Sequence, residues 1–169
     1  TAFGSFMIRY DETSNPLVDV PPGYGYYYAP VSFLGVTGVQ VDGSRGRFDG
    51  RVQFANSSPA NPRSIFAKDQ YGNWAGGAGY TIQQGFRIGV SAYRGPYLDR
   101  QNAVVLPGEV NPGKLPAHGL GMDAKWARGH TWAFAELQKF FMPYTQLPDF
   151  RESTGYAEVR QDISARWFA

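Results

Sequence analysis

Charged residues in this chain recur at alternate positions of runs whose other positions are apolar or small. Arg47, Asp49 and Arg51 alternate with Phe48, Gly50 and Val52. Arg87 stands against the parity of Phe86, Ile88, Val90 and Ala92, and Asp123 and Lys125 against that of Met122, Ala124 and Trp126. Glu136 shares its parity with Trp132, Phe134 and Gln138, and Glu158, Arg160 and Asp162 share another. A period of two is that of a β-strand with unlike faces. Rows of charge on one such face suit a water-filled channel. Facing lipid, an Arg or Lys costs about 2–4 kcal/mol at the bilayer midplane. Facing a lumen it costs far less, and opposed rows set a transverse field across the pore. These ten pore-lining candidates divide equally between basic and acidic, which predicts weak ion selectivity. A wall whose neighbouring charges merely bridge one another is the second reading of the same residues.

Other chemistry finds little support. His118 and His130 are far apart in the chain, and no Cys exists to join them in a metal site. Asp11-Glu12 reads as a solvated strand tip. No Gly-rich phosphate loop precedes a helix and no Gly-x-Ser-x-Gly elbow occurs. The expectation is therefore no catalytic residue, no cofactor and no metal. The sequon at Asn56 reads as accidental. The run Tyr24-Gly25-Tyr26-Tyr27-Tyr28 offers sugar-stacking rings, and a soluble carbohydrate-binding β-sandwich is the alternative function.

The elements that must position the charges read as long hairpins. Around Gln83-Gln84-Gly85, one arm places Trp74, Gly76, Ala78, Tyr80 and Ile82 on one parity, and the other places Phe86, Ile88, Val90 and Ala92. Each arm has about ten residues, longer than the usual strand of about 5–6 and close to the ~9–11 that a tilted strand needs to cross a bilayer. Residues 34–43 and 46–56 form a hairpin about Gly43-Ser44-Arg45-Gly46. Residues 119–127 and 131–140 form another about Arg128-Gly129-His130. In 131–140 Phe134, Leu137, Gln138 and Phe141 also fit helical spacing, so strand and helix both stand there, with the repeat favouring a strand. A first strand is expected over 2–11, a last from Tyr156, and a final turn near Ser164-Ala165. Long Pro- and Gly-rich loops separate the hairpins, at 12–33, 57–73, 95–118 and 141–155.

Tight turns thus alternate with long loops. A sandwich has no reason to gather its tight turns at one end; a transmembrane barrel does, with short turns on one side and long loops on the other. A propeller blade of similar period needs four short strands. The predicted fold is all-β: an antiparallel up-and-down transmembrane β-barrel in one domain over 1–169, partial, with about nine strands. Trp and Tyr favour the membrane interface, and Tyr71, Trp74, Tyr93, Trp126, Trp132 and Phe141 fall near strand ends. Loops 57–73 and 95–118 are candidates to fold into the lumen.

Composition agrees. Of 169 residues 21 are Gly, 11 Tyr and 12 Phe, none is Cys, and only 18% are charged. The absence of Cys excludes disulfides and thiolate sites. A formal net charge of +2 implies no nucleic-acid partner. No apolar run approaches the ~18 residues of a membrane helix. The chain opens at Thr1 without a signal peptide and closes on Arg166-Trp167-Phe168-Ala169, so a piece of a longer chain is expected.

The segments FGSFMIRYDETSNPLVDVP, QFANSSPANPRSIFAKDQYGNWAGGAGYTIQQGFRIGVSAYRGPYLDR and TGYAEVRQDISARWF resemble Gram-negative outer-membrane porins of a phosphate-selective-porin-like group. The resemblance is one of strand and loop pattern over nearly the whole chain. It implies a barrel of about sixteen to eighteen strands, of which roughly half is absent. It also implies outer-membrane localisation, a lipid-bilayer partner, diffusion of small hydrophilic solutes or ions, and a monomer or homotrimer. The basic loop ladder of a phosphate-selective pore is not evident, which leaves that solute unsupported.

Overall fold

The computed structural model describes residues 38–55, 72–98, 107–108, 111–164 and 167–168. Eight strands form one antiparallel sheet in chain order: β1 (Gly38–Arg45), β2 (Phe48–Ala55), β3 (Asn73–Gln83), β4 (Phe86–Pro96), β5 (Pro116–Arg128), β6 (Thr131–Met142), β7 (Phe150–Ser164) and β8 (Trp167–Phe168). Each strand pairs with its chain neighbours, so the sheet is an up-and-down meander. It does not close: among the described residues β1 pairs only with β2, and β8 only with β7. A short 3-10 turn, Pro112–Lys114, precedes β5. The expected strand 2–11 lies outside the described residues.

The hairpins owe their tightness to glycine. Two-residue turns Gly46-Arg47, Gln84-Gly85 and Gly129-His130 join β1–β2, β3–β4 and β5–β6. Their glycines take φ of +62°, +82° and +59°, a region that L side chains rarely enter and that two-residue hairpins require. The three turns share one end of the sheet. Each is also tied to the next strand by a backbone bond: Thr81 N to Arg47 O, Ala127 N to Gly85 O and Asp162 N to His130 O, at 2.7–2.8 Å. The connections at the other end are longer, spanning 56–72, 97–115 and 143–149.

Some boundaries differ from expectation. The first turn lies at Gly46-Arg47 instead of Gly43–Gly46, because the ladder continues through Gly43↔Gly50 and Arg45↔Phe48. Strand β7 begins at Phe150 rather than Tyr156, since β6 pairs with it as far as Met142↔Phe150. Residues 131–142 are a strand throughout, bonded on both sides, which removes the helical alternative.

Candidate functional site: the polar face of the sheet

Side chains divide by parity into two faces, and their burial is the reverse of that in a water-soluble sheet. One face carries Val39, Val41, Phe48, Val52, Phe54, Ile88, Val90, Leu120, Met122, Leu137 and Val159, all exposed, with Val41 and Val159 each 68% accessible. The other carries Gln53, Asn73, Ser91, Asp123, Glu136 and Gln138, all buried. Glu136 is 1% accessible and Asp123 6%, a burial that carboxylates tolerate only when paired or hydrogen-bonded.

At the centre of the polar face lies an ion triad. Arg87 on β4 reaches back across β3 to Asp49 on β2, with Nε donating to Oδ2 at 2.7 Å and Nη2 to Oδ1 at 2.6 Å. Its Nη1 donates to Asp123 Oδ1 on β5 at 2.5 Å. β2 and β4 lie two strand spacings apart, about 9.6 Å, so the guanidinium must lie flat on the sheet. Glycine makes that possible. Gly79 and Gly89 are directly paired across β3 and β4. A Cβ on Gly79 would overlap the Arg87 guanidinium, and one on Gly89 the Asp123 carboxylate. Charged, two-pronged pairing of this kind is about twice as strong as a neutral hydrogen bond.

Asp123 stands directly opposite Glu136 across β5 and β6. Gln138 Nε2 donates to Glu136 Oε1 at 2.8 Å, extending the polar belt along β6. Towards the turns, Arg160 donates to Glu158 at 3.0 Å and its guanidinium covers the Trp132 ring at 4.7 Å. Arg51 meets Asp42 at 3.4 Å in an exposed pair, and Arg47 donates to the Ile82 carbonyl at a turn. Lys125 and Asp162 are exposed at the turn end. Thr131 donates to Gln161 at the same end but on the opposite face.

Towards the loops the same face turns apolar. Ala75, Tyr93, Ala117, Phe140 and Met142 form the one buried cluster among the described residues, with Tyr97 packed against it. Tyr93 meets Phe140 edge-on at 6.5 Å. Room for Phe140 comes from Gly119, its cross-strand partner, where a Cβ would strike the ring. Tyr97 donates to the Pro143 carbonyl and Tyr144 to the Pro107 carbonyl, each at 2.7 Å, which ties neighbouring loops together. Burial, then the nearby Tyr144 and Asp149, pushes the Tyr97 hydroxyl above its ordinary range.

Nine of the ten charged candidates share one side of the sheet, with Asp49, Arg87 and Asp123 in one cluster and Glu158 with Arg160 in another, while Arg47 lies in the first turn. The six aromatics expected at an interface separate. Trp74, Trp126 and Phe141 stand on the apolar face. Tyr93 and Trp132 stand on the polar face, where Phe140 and Arg160 cover them; Tyr71 lies outside the described residues. The sequence-based candidates left out the buried Gln53, Asn73, Ser91 and Gln138, although Gln53, Ser91 and Gln138 share the parity of the charges in the sequence. They also missed the Tyr93–Phe140 cluster, which parity alone places among lumen residues. Most of the loops proposed to fold inward lie outside the described residues. Among those described, no three His, Cys, Asp or Glu side chains gather to hold a metal ion, and no helix is long and apolar enough to cross a membrane.

Compared with family models, with curated proteins and with solved structures, the chain matches none.

Proposed function

We propose that this chain is a segment of a transmembrane β-barrel channel of the bacterial outer membrane, through which small hydrophilic solutes diffuse. One observation carries the reading: most of the large apolar side chains stand exposed on one face of the sheet, while the central charged ones, Arg87, Asp123 and Glu136, are largely covered on the other. In water such a surface exceeds the apolar patches of a few hundred Å² that monomers expose. In lipid it is the required surface.

The dimensions agree. On β5 the outward face runs from His118 to Arg128 with only Leu120, Met122, Ala124 and Trp126 between them. The ten residue steps from His118 to Arg128 span about 34 Å along the strand, or about 26 Å at a tilt of about 40°. The apolar band of an outer-membrane barrel is ~25 Å tall. The polar face becomes the lumen wall, with Asp49, Arg87 and Asp123 bridged across three strands. A bridged wall presents little unbalanced charge, so selectivity between small ions is weak. The unpaired edges of β1 and β8 would be closed by further strands, since open edges are not tolerated in hydrocarbon.

Refolding of the full chain tests this directly. Circular dichroism and size-exclusion chromatography are run in plain buffer and in detergent micelles. Strand signal and a monodisperse peak are expected only in detergent. A cooperative, monodisperse β protein in plain buffer overturns the channel reading and directs attention to glycan binding at Tyr24–Tyr28.

A further inference from the structure

The charges on the apolar face are all of one sign. Its strand positions carry Arg45, Arg94, Arg128, Lys139 and Arg151 and no carboxylate among the described residues. Every strand Asp and Glu, from Asp42 to Asp162, has the opposite parity. At the loop end two of these cations converge on one ring: Lys139 Nζ lies 5.5 Å and Arg151 Cζ 5.8 Å from the centre of Phe141. Neither makes an ion pair among the described residues.

Directly below this pair the apolar face is hollowed. A trough of 620 Å³ runs between Leu120 and Met122 on β5, Leu137 on β6, and Ser153 and Gly155 on β7. Its floor is low because β7 places Ser153 and Gly155 where its neighbours place long side chains. Phe141 and Lys139 close its loop end.

From this we infer a binding site for a phosphate-bearing anionic lipid. One acyl chain lies in the trough against Leu120, Met122 and Leu137, and the lipid phosphate sits between Lys139 and Arg151. The inference rests on the membrane reading and gives it a ligand. Charge complementarity selects this occupant over a second copy of the chain: an isologous contact through the same face would set cations against cations. A zwitterionic lipid fills the trough equally well but offers its phosphate already neutralised.

The test uses the full chain refolded in neutral detergent. Native mass spectrometry counts retained dioleoyl phosphatidic acid against dioleoyl phosphatidylcholine. The site predicts preferential retention of phosphatidic acid. The variant K139Q/R151Q should lose that preference about tenfold to thirtyfold, the effect of removing two cations near an anionic headgroup, whereas R45Q/R128Q at the turn end should keep it. Both pairs are exposed, and unchanged circular dichroism confirms folding. Equal retention of the two lipids, or a preference that survives K139Q/R151Q, overturns the site while leaving the membrane reading intact. Displacement of phosphatidic acid by millimolar inorganic phosphate overturns it in favour of a free-anion site. A dimer that excludes both lipids overturns it in favour of copy–copy contact. A chain that folds in plain buffer and retains neither lipid removes the membrane reading itself.

Discussion

The two faces of this sheet obey one alternation and opposite chemistry. On the polar face each buried charge is met within the sheet: Arg87 holds Asp49 and Asp123, Gln138 supports Glu136, and Arg160 joins Glu158 while lying over Trp132. On the apolar face most large side chains stay uncovered, and the contacts are few: Phe48 with Tyr80, and Lys139 and Arg151 with Phe141. Val39, Val41, Val52, Val90, Leu120 and Val159 project outward with most of their surface uncovered. A sheet folding in water buries the second set and exposes the first, because burial of apolar area at about 25 cal/mol per Å² drives the choice. On the proposed channel reading the inversion has a direct meaning: apolar surroundings lie outside the apolar face, and water lies on the side where the charges stand.

The comparison breaks most severely at Arg87. Arg87→Met leaves Asp123 buried without its cation and Asp49 partly so. Removal of one partner from a buried ion pair typically costs about 3–5 kcal/mol. Asp49 is one-third exposed, so the lower end is expected. Urea unfolding of the detergent-refolded chain reads the loss, and D49N/D123N in the same background should recover part of it, since the stranded charges are then neutral. The next effect belongs to the other face. Val90→Arg is expected to cost about 2–4 kcal/mol in a bilayer-like environment. On a surface washed by water the same change stays within about 0.5 kcal/mol. Equal stability of wild type and Val90→Arg in lipid vesicles would mean that this face meets water, and the contrast between the faces would lose its meaning.

Much of this contrast was legible in the sequence. Alternation in β2 to β5 assigns every side chain to its face, because the period of a strand is two and a face swap needs a slip of one residue. The position of the first turn was not legible. A turn at Gly43–Gly46 and one at Gly46-Arg47 both put Val39 and Val41 on the side of Phe48 and Val52, so parity does not choose between them. The start of β7 was hidden in Phe150-Arg151-Glu152-Ser153, which lacks apolar alternation and is held extended by its ladder with β6. Strand β6 was ambiguous for a related reason: Trp132, Phe134 and Phe140 share a face with Glu136 and Gln138, so its polar face carries aromatic rings at both ends. The triad was hidden too. Asp49 and Arg87 meet across an intervening strand, and that contact exists only because residue 79 is glycine and the register sets it beneath the guanidinium.

That dependence sharpens the comparison at smaller cost. In Gly79→Ala the new methyl occupies space held by the Arg87 guanidinium. The guanidinium is the far end of a flexible side chain, so it shifts instead of forcing the backbone apart. A loss of about 1–2 kcal/mol is expected, the lower range for overpacking. The same substitution in an Arg87→Met background should cost much less, and the difference measures the coupling of the two residues. Equal cost in both backgrounds would mean that Gly79 serves only the backbone.

The smallest effect is expected at Arg51 and Asp42, which make the one exposed ion pair described on this face, at 3.4 Å. Both side chains are about half accessible, so screening leaves little net attraction. Arg51→Gln should change stability by no more than about 0.5 kcal/mol. The value of this control lies in its distance from Arg87 along one surface. Arg51 and Arg87 share parity and charge, each meets a carboxylate of its own, and they differ in how far water reaches them. If Arg51→Gln proves as costly as Arg87→Met, burial does not separate the two pairs, and the wall is stiffened by a continuous charge network. If only Arg87 is costly, the glycine-floored centre of the sheet is where the polar face holds its shape.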